Sequence, residues 1–483
     1  MSVLPKGWAA VRLVEVCGLL NGRAYRQTEL LDEGKYPVLR VGNFFSNRHW
    51  YFSNLELEED KYCDNGDLLY AWSASFGPKI WDGGKVIYHY HIWRTQPDER
   101  AVATMFLYYW FAWDKENIKV EHGTGSTMIH VTKGDMEARP LLIPPLAEQR
   151  RIVAKLDALT ARLARARAEL DRVQVLAEKL RMRSTFSAIS GYLTADWRVS
   201  NPSSRTISDD GLDAAYLRAT GSPRRKPWAK IDWCPKLDIP ASWRWVSVDQ
   251  IVAQVQYGSS AKTSNNASGI PVLRMGNIQR GQIDWKDLKY LPSDHDEFPN
   301  LILKDGDVLF NRTNSFELVG KSAVYKSPDH PSSFASYLIR VRPSGISSEL
   351  LAAYLNSSIG RSWIETVASQ QVGQANVNGS KLKALGVPLP PFDEQAEIVR
   401  RLNSIFTRAD RLEAEASRAR ALLDRLEAAI LAKAFKGELV PQDPNDEPAS
   451  VLLERIRAGR ASTAKPKRSR HIAAAQEARE EAG

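Results

Sequence analysis

Pro37-Val-Leu-Arg-Val-Gly-Asn43 and, 234 residues later, Pro271-Val-Leu-Arg-Met-Gly-Asn277 differ at one position of seven. One such match is a weak sign, but others flank it in the same order. Upstream, Pro5-Lys-Gly-Trp8 is answered by Pro240-Ala-Ser-Trp243. Downstream, Asn65-Gly66-Asp67-Leu68-Leu69 is answered by Asp305-Gly306-Asp307-Val308-Leu309. Further on, Ile143-Pro-Pro-Leu-Ala-Glu148-Gln149 is answered by Leu389-Pro-Pro-Phe-Asp-Glu394-Gln395. The 483-residue chain, too long for one ordinary core, is therefore a duplication.

The offset between matched motifs runs 234, 240 and 246, then stays at 246 from Pro144 to Thr194, where Gly191 lands on Gly437. The globular parts have changed loop lengths, and the segment after them has not. Its apolar pattern explains why. Ile152, Leu156, Leu159, Leu163, Ala166, Leu170, Val173, Ala177 and Leu180 recur at steps of four and three. Ile398, Leu402, Ile405, Ala409, Leu412, Ala416, Ala419, Leu423 and Leu426 repeat that stripe in the same register. This is the a/d seam of a coiled coil. Each helix should run ~43 residues, or ~65 Å. Pro-Pro precedes each one, Glu148 or Glu394 sits in the first turn where the dipole favours acids, and Gly191 or Gly437 closes it. Each helix supplies the other's missing partner, and a pseudo-twofold repeat makes the pair antiparallel, with a globular domain at each end of a rod.

The globular halves read as mixed α and β. Lys85–Trp93 and Ala335–Arg342 look like strands, while Met105–Trp113 and Leu350–Leu355 look like core helices. The expected layout is a domain at 1–143, a long helix at 144–191 and a linker at 192–238. A second domain follows at 239–389, a second helix at 390–437 and a basic, partly disordered tail at 438–483.

A net charge of +9 and a pI near 9.2 permit a polyanionic partner. No run approaches the ~20 apolar residues of a membrane span, and Met1–Leu13 lacks a signal-peptide core. The expectation is a cytoplasmic protein with no membrane role. Cys17, Cys63 and Cys234 form no C-x-x-C pair. Val319-Gly320-Lys321-Ser322 resembles the end of a phosphate loop, but Ser315 stands where that motif needs glycine. Gly123-Thr-Gly125 lacks the strand–turn–helix context of a dinucleotide site, and His89-x-His91 has no third ligand nearby. Neither a catalytic site nor a metal site is expected.

Leu-Arg-x-Gly-Asn, Gly-Asp-hydrophobic-Leu and Pro-Pro-x-x-Glu-Gln opening a long helix, twice in that order, resemble the specificity subunits of type I restriction-modification enzymes. Gly306–Asn314, Pro388–Gln395 and Ala434–Leu439 are among the closest matches, and the likeness covers roughly residues 1 to 440. The resemblance implies two target-recognition domains reading a bipartite, asymmetric double-stranded DNA target. It also implies helices that hold those domains apart and dock two methyltransferase subunits. S-adenosylmethionine would sit on those subunits, and ATP and Mg²⁺ on separate motor-nuclease subunits, with no cofactor on this chain. The rival reading is a duplicated coiled-coil scaffold without DNA specificity.

Affinity for DNA comes largely from cations on phosphates, and specificity from polar side chains on base edges. The candidate contacts are therefore loops that differ between the halves. In the first half these are Gly123, Thr124, Gly125, Ser126 and Thr127. In the second they are Gln370, Gln371, Gln374, Asn376 and Asn378, whose amides suit adenine, together with Asn311, Arg312 and Asn314. The positions matching the latter three are Trp72, Ser73 and Ser75. Arg40 with Asn43, and Arg274 with Asn277, are candidates for contact or for the fold.

Fixed helix length suggests a ruler. One heptad added to both helices, after Ala168 and after Ala414, keeps the seam and lengthens the rod by ~10.5 Å. Methylome sequencing should then report both half-sites unchanged and a spacer longer by about two or three base pairs. An unchanged spacer at full activity would sink the ruler.

Overall fold

A computed structural model of the chain describes residues 4–46, 49–73, 76–122, 131–326, 331–371 and 374–463. The chain folds as two compact units, Met1–Glu169 with Arg418–Gly483, and Leu170–Ser417. Both divisions fall inside long helices, Leu146–Ile189 and Phe392–Phe435, each of 44 residues. Each unit thus holds half of each helix.

Within the first unit, Arg167 of the first helix donates to Asp424 and Glu427 of the second, both at 2.7 Å. Within the second unit, Arg181 donates to Glu413 at 2.9 and 3.0 Å and to Asp410 at 2.6 Å. As numbers rise along one helix they fall along the other, so the pair is antiparallel, as the sequence predicts. Positions 167 and 413 match across the duplication, as do 181 and 427. One contact is therefore made twice, with arginine always on the first helix. Such half-exposed pairs are worth only ~0.2–1 kcal/mol each, and what they fix is register.

The seam follows the heptad stripe only in part. Ile152, Leu156, Leu163, Ala177, Ile398, Leu402 and Ala409 are buried, and Leu159, Leu170, Ile405 and Leu423 are half-buried. Leu180, Leu412 and Leu426 are instead 42%, 50% and 49% exposed, which corrects the expectation for these three. The neighbouring Arg181, Glu413 and Glu427 turn inward. A helix of 3.6 residues per turn drifts by about 20° per heptad from a strict 3.5 repeat, and the arginine forks engage the next residue along.

Each long helix is rooted in its globular unit by the same side chains. Gln149 accepts from the Ala103 amide at 2.8 Å and donates to the carbonyls of Ala101 and Pro144, both at 3.0 Å. Gln395 accepts from Ser347 at 2.8 Å and donates to Gly345 at 3.3 Å and Pro390 at 3.0 Å. Glu148 accepts the Trp8 indole N–H at 3.1 Å, and Glu394 that of Trp243 at 2.8 Å. These glutamates are buried, so their main work is to tie helix to domain.

The globular parts share a plan. In the first, strands Cys17–Asn21, Ile92–Pro97, Leu68–Ala71 and Gly77–Ile80 lie side by side, all antiparallel. A second sheet orders Tyr51–Ser53, Tyr36–Leu39, Val86–Tyr88 and Tyr62–Cys63, with Val38 parallel to Ile87. The second unit repeats these as Val252–Tyr257, Leu338–Pro343, Val308–Asn311 and Ser322–Val324, and as Lys289–Leu291, Ile270–Leu273 and Ser333–Phe334. The Gly-Asp motif is a turn. Gly66 and Gly306 take φ of +93° and +83°, and Asp67 and Asp307 accept the amides of Asp64 and Lys304.

Residues 192–238 were expected to be a linker, yet part of them belongs to a core. Helix Asp209–Thr220 sends Leu212 into the core of the second unit beside Ile251 and Val252, and Ile207 joins the same cluster. Likewise helix Ala449–Thr463, inside the expected tail, packs Ala449, Leu453 and Ile456 into the core of the first unit. Arg457 and Arg460 fasten it to Glu15 and Asp98. Linker-like composition misled because the apolar residues between its Pro- and Ser-rich ends are few and widely spaced.

The two buried glutamates differ. Glu394 also takes the Thr194 hydroxyl at 2.7 Å and pairs with Arg198 at 2.5 Å. The positions matching those partners in the first repeat are Val440 and Pro444. Glu148 keeps one carboxylate oxygen buried without a hydrogen bond, and burial holds its pKa above the ordinary value, against the pull of the Trp8 hydrogen bond and Arg151. A raised folded-state pKa means the cost is absent below the ordinary carboxylate range and grows as pH climbs through and above it. Glu148→Gln should therefore melt like the parent near pH 4 and higher at pH 8. Glu394→Gln should melt lower at pH 8, by about 1–3 kcal/mol, because Arg198 loses its partner. Calorimetry across pH checks both.

Candidate nucleic-acid interface

Two groups of candidate residues far apart in sequence meet in the second unit. Strand Val308–Asn311 runs on into Thr313–Asn314, which pairs with Gln374–Asn376, and that strand pairs with Ser369–Gln371. Thr313 faces Asn376, and Asn314 faces Ala375. Arg312 sits at the junction. Its guanidinium donates to the Ser336 carbonyl and to the Asn376 side-chain oxygen, both at 3.3 Å, and lies 4.8 Å from the centre of the Tyr257 ring. The Tyr257 hydroxyl accepts the Gly379 amide at 2.7 Å. Tyr257 and Tyr337 remain 44% and 48% exposed beside it. The result is a polar, cationic and aromatic surface of the kind that meets phosphates and bases.

Several candidates serve the fold instead. Asn311 is buried, and its amide donates to Leu318. Asn277 is buried; it accepts the Arg274 amide and donates to the carbonyls of Asp284 and Lys286. Asn43 is buried as well and donates to His49. Asn378 caps the helix Gly379–Lys383 by accepting from Lys381. Arg274 donates to Asp287, and Arg40 packs over the Tyr51 ring. The repeated Arg-x-Gly-Asn motif therefore fastens a turn. Each buried amide is committed to backbone groups that would be left unsatisfied if it turned to a base. The backbone of Gln370, Gln371 and Gln374 lies in the small sheet. Gly123, Thr124, Gly125, Ser126 and Thr127 lie outside the described residues.

The first unit builds the same place with other chemistry. Trp72 takes the position of Arg312. Its backbone amide donates to His91 as that of Arg312 does to Tyr337, and its indole N–H donates to Tyr90 at 2.8 Å as Arg312 does to Ser336. Trp72 stacks on Trp93 with centroids 5.8 Å apart and meets His91 edge-on at 4.9 Å. Tyr90 is 39% exposed. Burial, with His91 and Arg40 nearby, pushes His89 down to about 4, so this ring is neutral at neutral pH. Tyr257, Tyr337 and Tyr90 were missed from sequence, because their partners in the site come from distant strands.

Among the described residues no group of His, Cys, Asp or Glu is placed to hold a metal ion, and no helix is long and apolar enough to cross a membrane.

Two related units, each presenting such a surface and each rooted on both long helices, define a duplicated recognition protein. The family described as the type I restriction modification DNA specificity domain matches residues 5–173 and 243–419, and the chain belongs to it. Recognition of a DNA target is its function. The chain is 27% identical to the EcoKI specificity subunit of Escherichia coli K12, across 97% of this chain and 98% of that one. It is 25% identical to the EcoBI specificity subunit of E. coli, across 96% and 94%. A solved structure described as the "structural basis underlying complex assembly and conformational transition of the type I R-M system" shares the fold. Its TM-score is 0.64 at 21% identity, with 91% of this chain and 100% of that one covered.

Asn277→Ala and Asn311→Ala should lower the melting temperature through lost buried hydrogen bonds, about 1–3 kcal/mol each. Arg312→Ala should change melting little and weaken specific DNA binding by ~1–3 kcal/mol. Parallel melting and mobility-shift measurements separate the two classes, and equal melting losses would return Arg312 to the framework.

Proposed function

We propose that the chain sets the target of a type I restriction-modification complex by reading a bipartite, asymmetric DNA sequence, one part with each globular unit. It docks two methyltransferase subunits for adenine methylation, and motor-nuclease subunits join them for restriction. The chain itself is non-catalytic and cytoplasmic. S-adenosylmethionine, ATP and Mg²⁺ act on the partner subunits. The observation that carries this reading is the exchange of Trp72 for Arg312 inside a repeated framework. The same backbone contacts hold both side chains, yet one presents an indole and the other a guanidinium fork, as two surfaces for unlike half-sites would.

Gln371, Gln374 and Asn376 are the base-edge candidates of the second unit, and Arg312 positions Asn376. Methylome sequencing of cells carrying this chain and its methyltransferase gives the target. Replacing Gln371, Gln374 and Asn376 with Ala should relax or weaken one half-site by ~1–3 kcal/mol per lost bidentate contact and leave the other intact. Equal loss at both half-sites overturns independent reading.

A further inference from the structure

The long helices carry a face that the duplication has kept better than the seam that joins them. Arg165, Glu169, Arg172, Leu176 and Leu180 of the first helix are answered, 246 positions on, by Arg411, Glu415, Arg418, Leu422 and Leu426. Lys179 is answered by another cation, Arg425. Steps of three and four keep each set on one side of its helix. All ten identical residues are exposed, the four leucines at 42% to 61%.

Over the same turns the inward positions have changed. Leu163 is answered by Ala409, Leu170 by Ala416, Val173 by Ala419 and Ala177 by Leu423. Exposed positions elsewhere have changed too, with Ala164 answered by Asp410 and Val175 by Ala421. A helix whose only task is pairing keeps its buried side and lets its surface drift. Here the surface is the constant part. Arg411 and Glu415 do pair on it at 2.8 Å, but exposed helix pairs contribute little and do not account for leucines repeated in water.

We infer that this face is a docking surface used twice, once on each helix, by two copies of one partner. Each copy of the face sets a leucine pair among three cations and one acid, so the complementary surface is an apolar pocket rimmed by carboxylates. The occupant is the methyltransferase subunit. This rests on the proposed docking of two such subunits and adds the residues, the chemistry and the equivalence of the two sites.

The test uses the full chain with the purified methyltransferase subunit and counts bound copies by native mass spectrometry. The unaltered chain should bind two. Leu176→Glu with Leu180→Glu should bind one, as should Leu422→Glu with Leu426→Glu, and the fourfold variant none, with melting unchanged. If glutamates disturb the helix pair, the same positions changed to Ala should weaken one site roughly tenfold, read by calorimetry. A folded fourfold variant that still binds two copies overturns the face and leaves helix docking standing. Loss of both copies from a single-face variant overturns the equivalence. An unaltered chain that binds none overturns both readings.

Discussion

A buried glutamate that accepts a tryptophan indole, beside a glutamine that clamps two loops, joins each long helix to its globular unit. Trp8 with Glu148 and Gln149 does this once, and Trp243 with Glu394 and Gln395 does it again. The tie is rigid because every partner is enclosed and a buried amide or carboxylate left unpaired is costly. Whatever surface a unit presents is thereby fixed relative to the helix that leaves it. Two short motifs that looked like separate markers of duplication turn out to be the two sides of one contact.

The framework and the reading surface have evolved under different demands. Framework positions are satisfied internally: Asn277 and Asn43 fasten turns, Asp307 caps a turn and pairs with Arg342 at 2.7 Å, and Gln149 and Gln395 make matching bonds. Change there leaves a buried group without a partner, so both halves keep the same residue. At 72 and 312 the backbone bonds are the same but the side chain ends at a surface. There an indole and a guanidinium are equally tolerable to the fold, and the two units are free to differ.

Much of this was legible in the sequence. The duplication, the two helices, their antiparallel pairing and the mixed sheets follow from ordered motifs and a stripe at steps of four and three. The seam was readable in its buried ends, such as Ile152, Leu156, Ile398 and Leu402. It was misread at Leu412 and Leu426, where the geometry of Arg181 and Arg167 decides which neighbour turns inward. Repetition also suggested Arg40, Asn43, Arg274 and Asn277 as contacts, although repetition favours framework roles.

By itself the sequence determined the number of units, the length of the helices and their partnership, because periodicity and equal length are properties of a line of residues. Only the tertiary structure decided that helices Asp209–Thr220 and Ala449–Thr463 complete cores that begin elsewhere in the chain. It alone brought Tyr257, Arg312, Tyr337 and Asn376 onto one surface. It also distinguished the bonded carboxylate of Glu394 from the half-satisfied one of Glu148. Those outcomes depend on which distant strands and helices pack together, and so on hydrogen-bond satisfaction and burial across the fold, which no local pattern encodes.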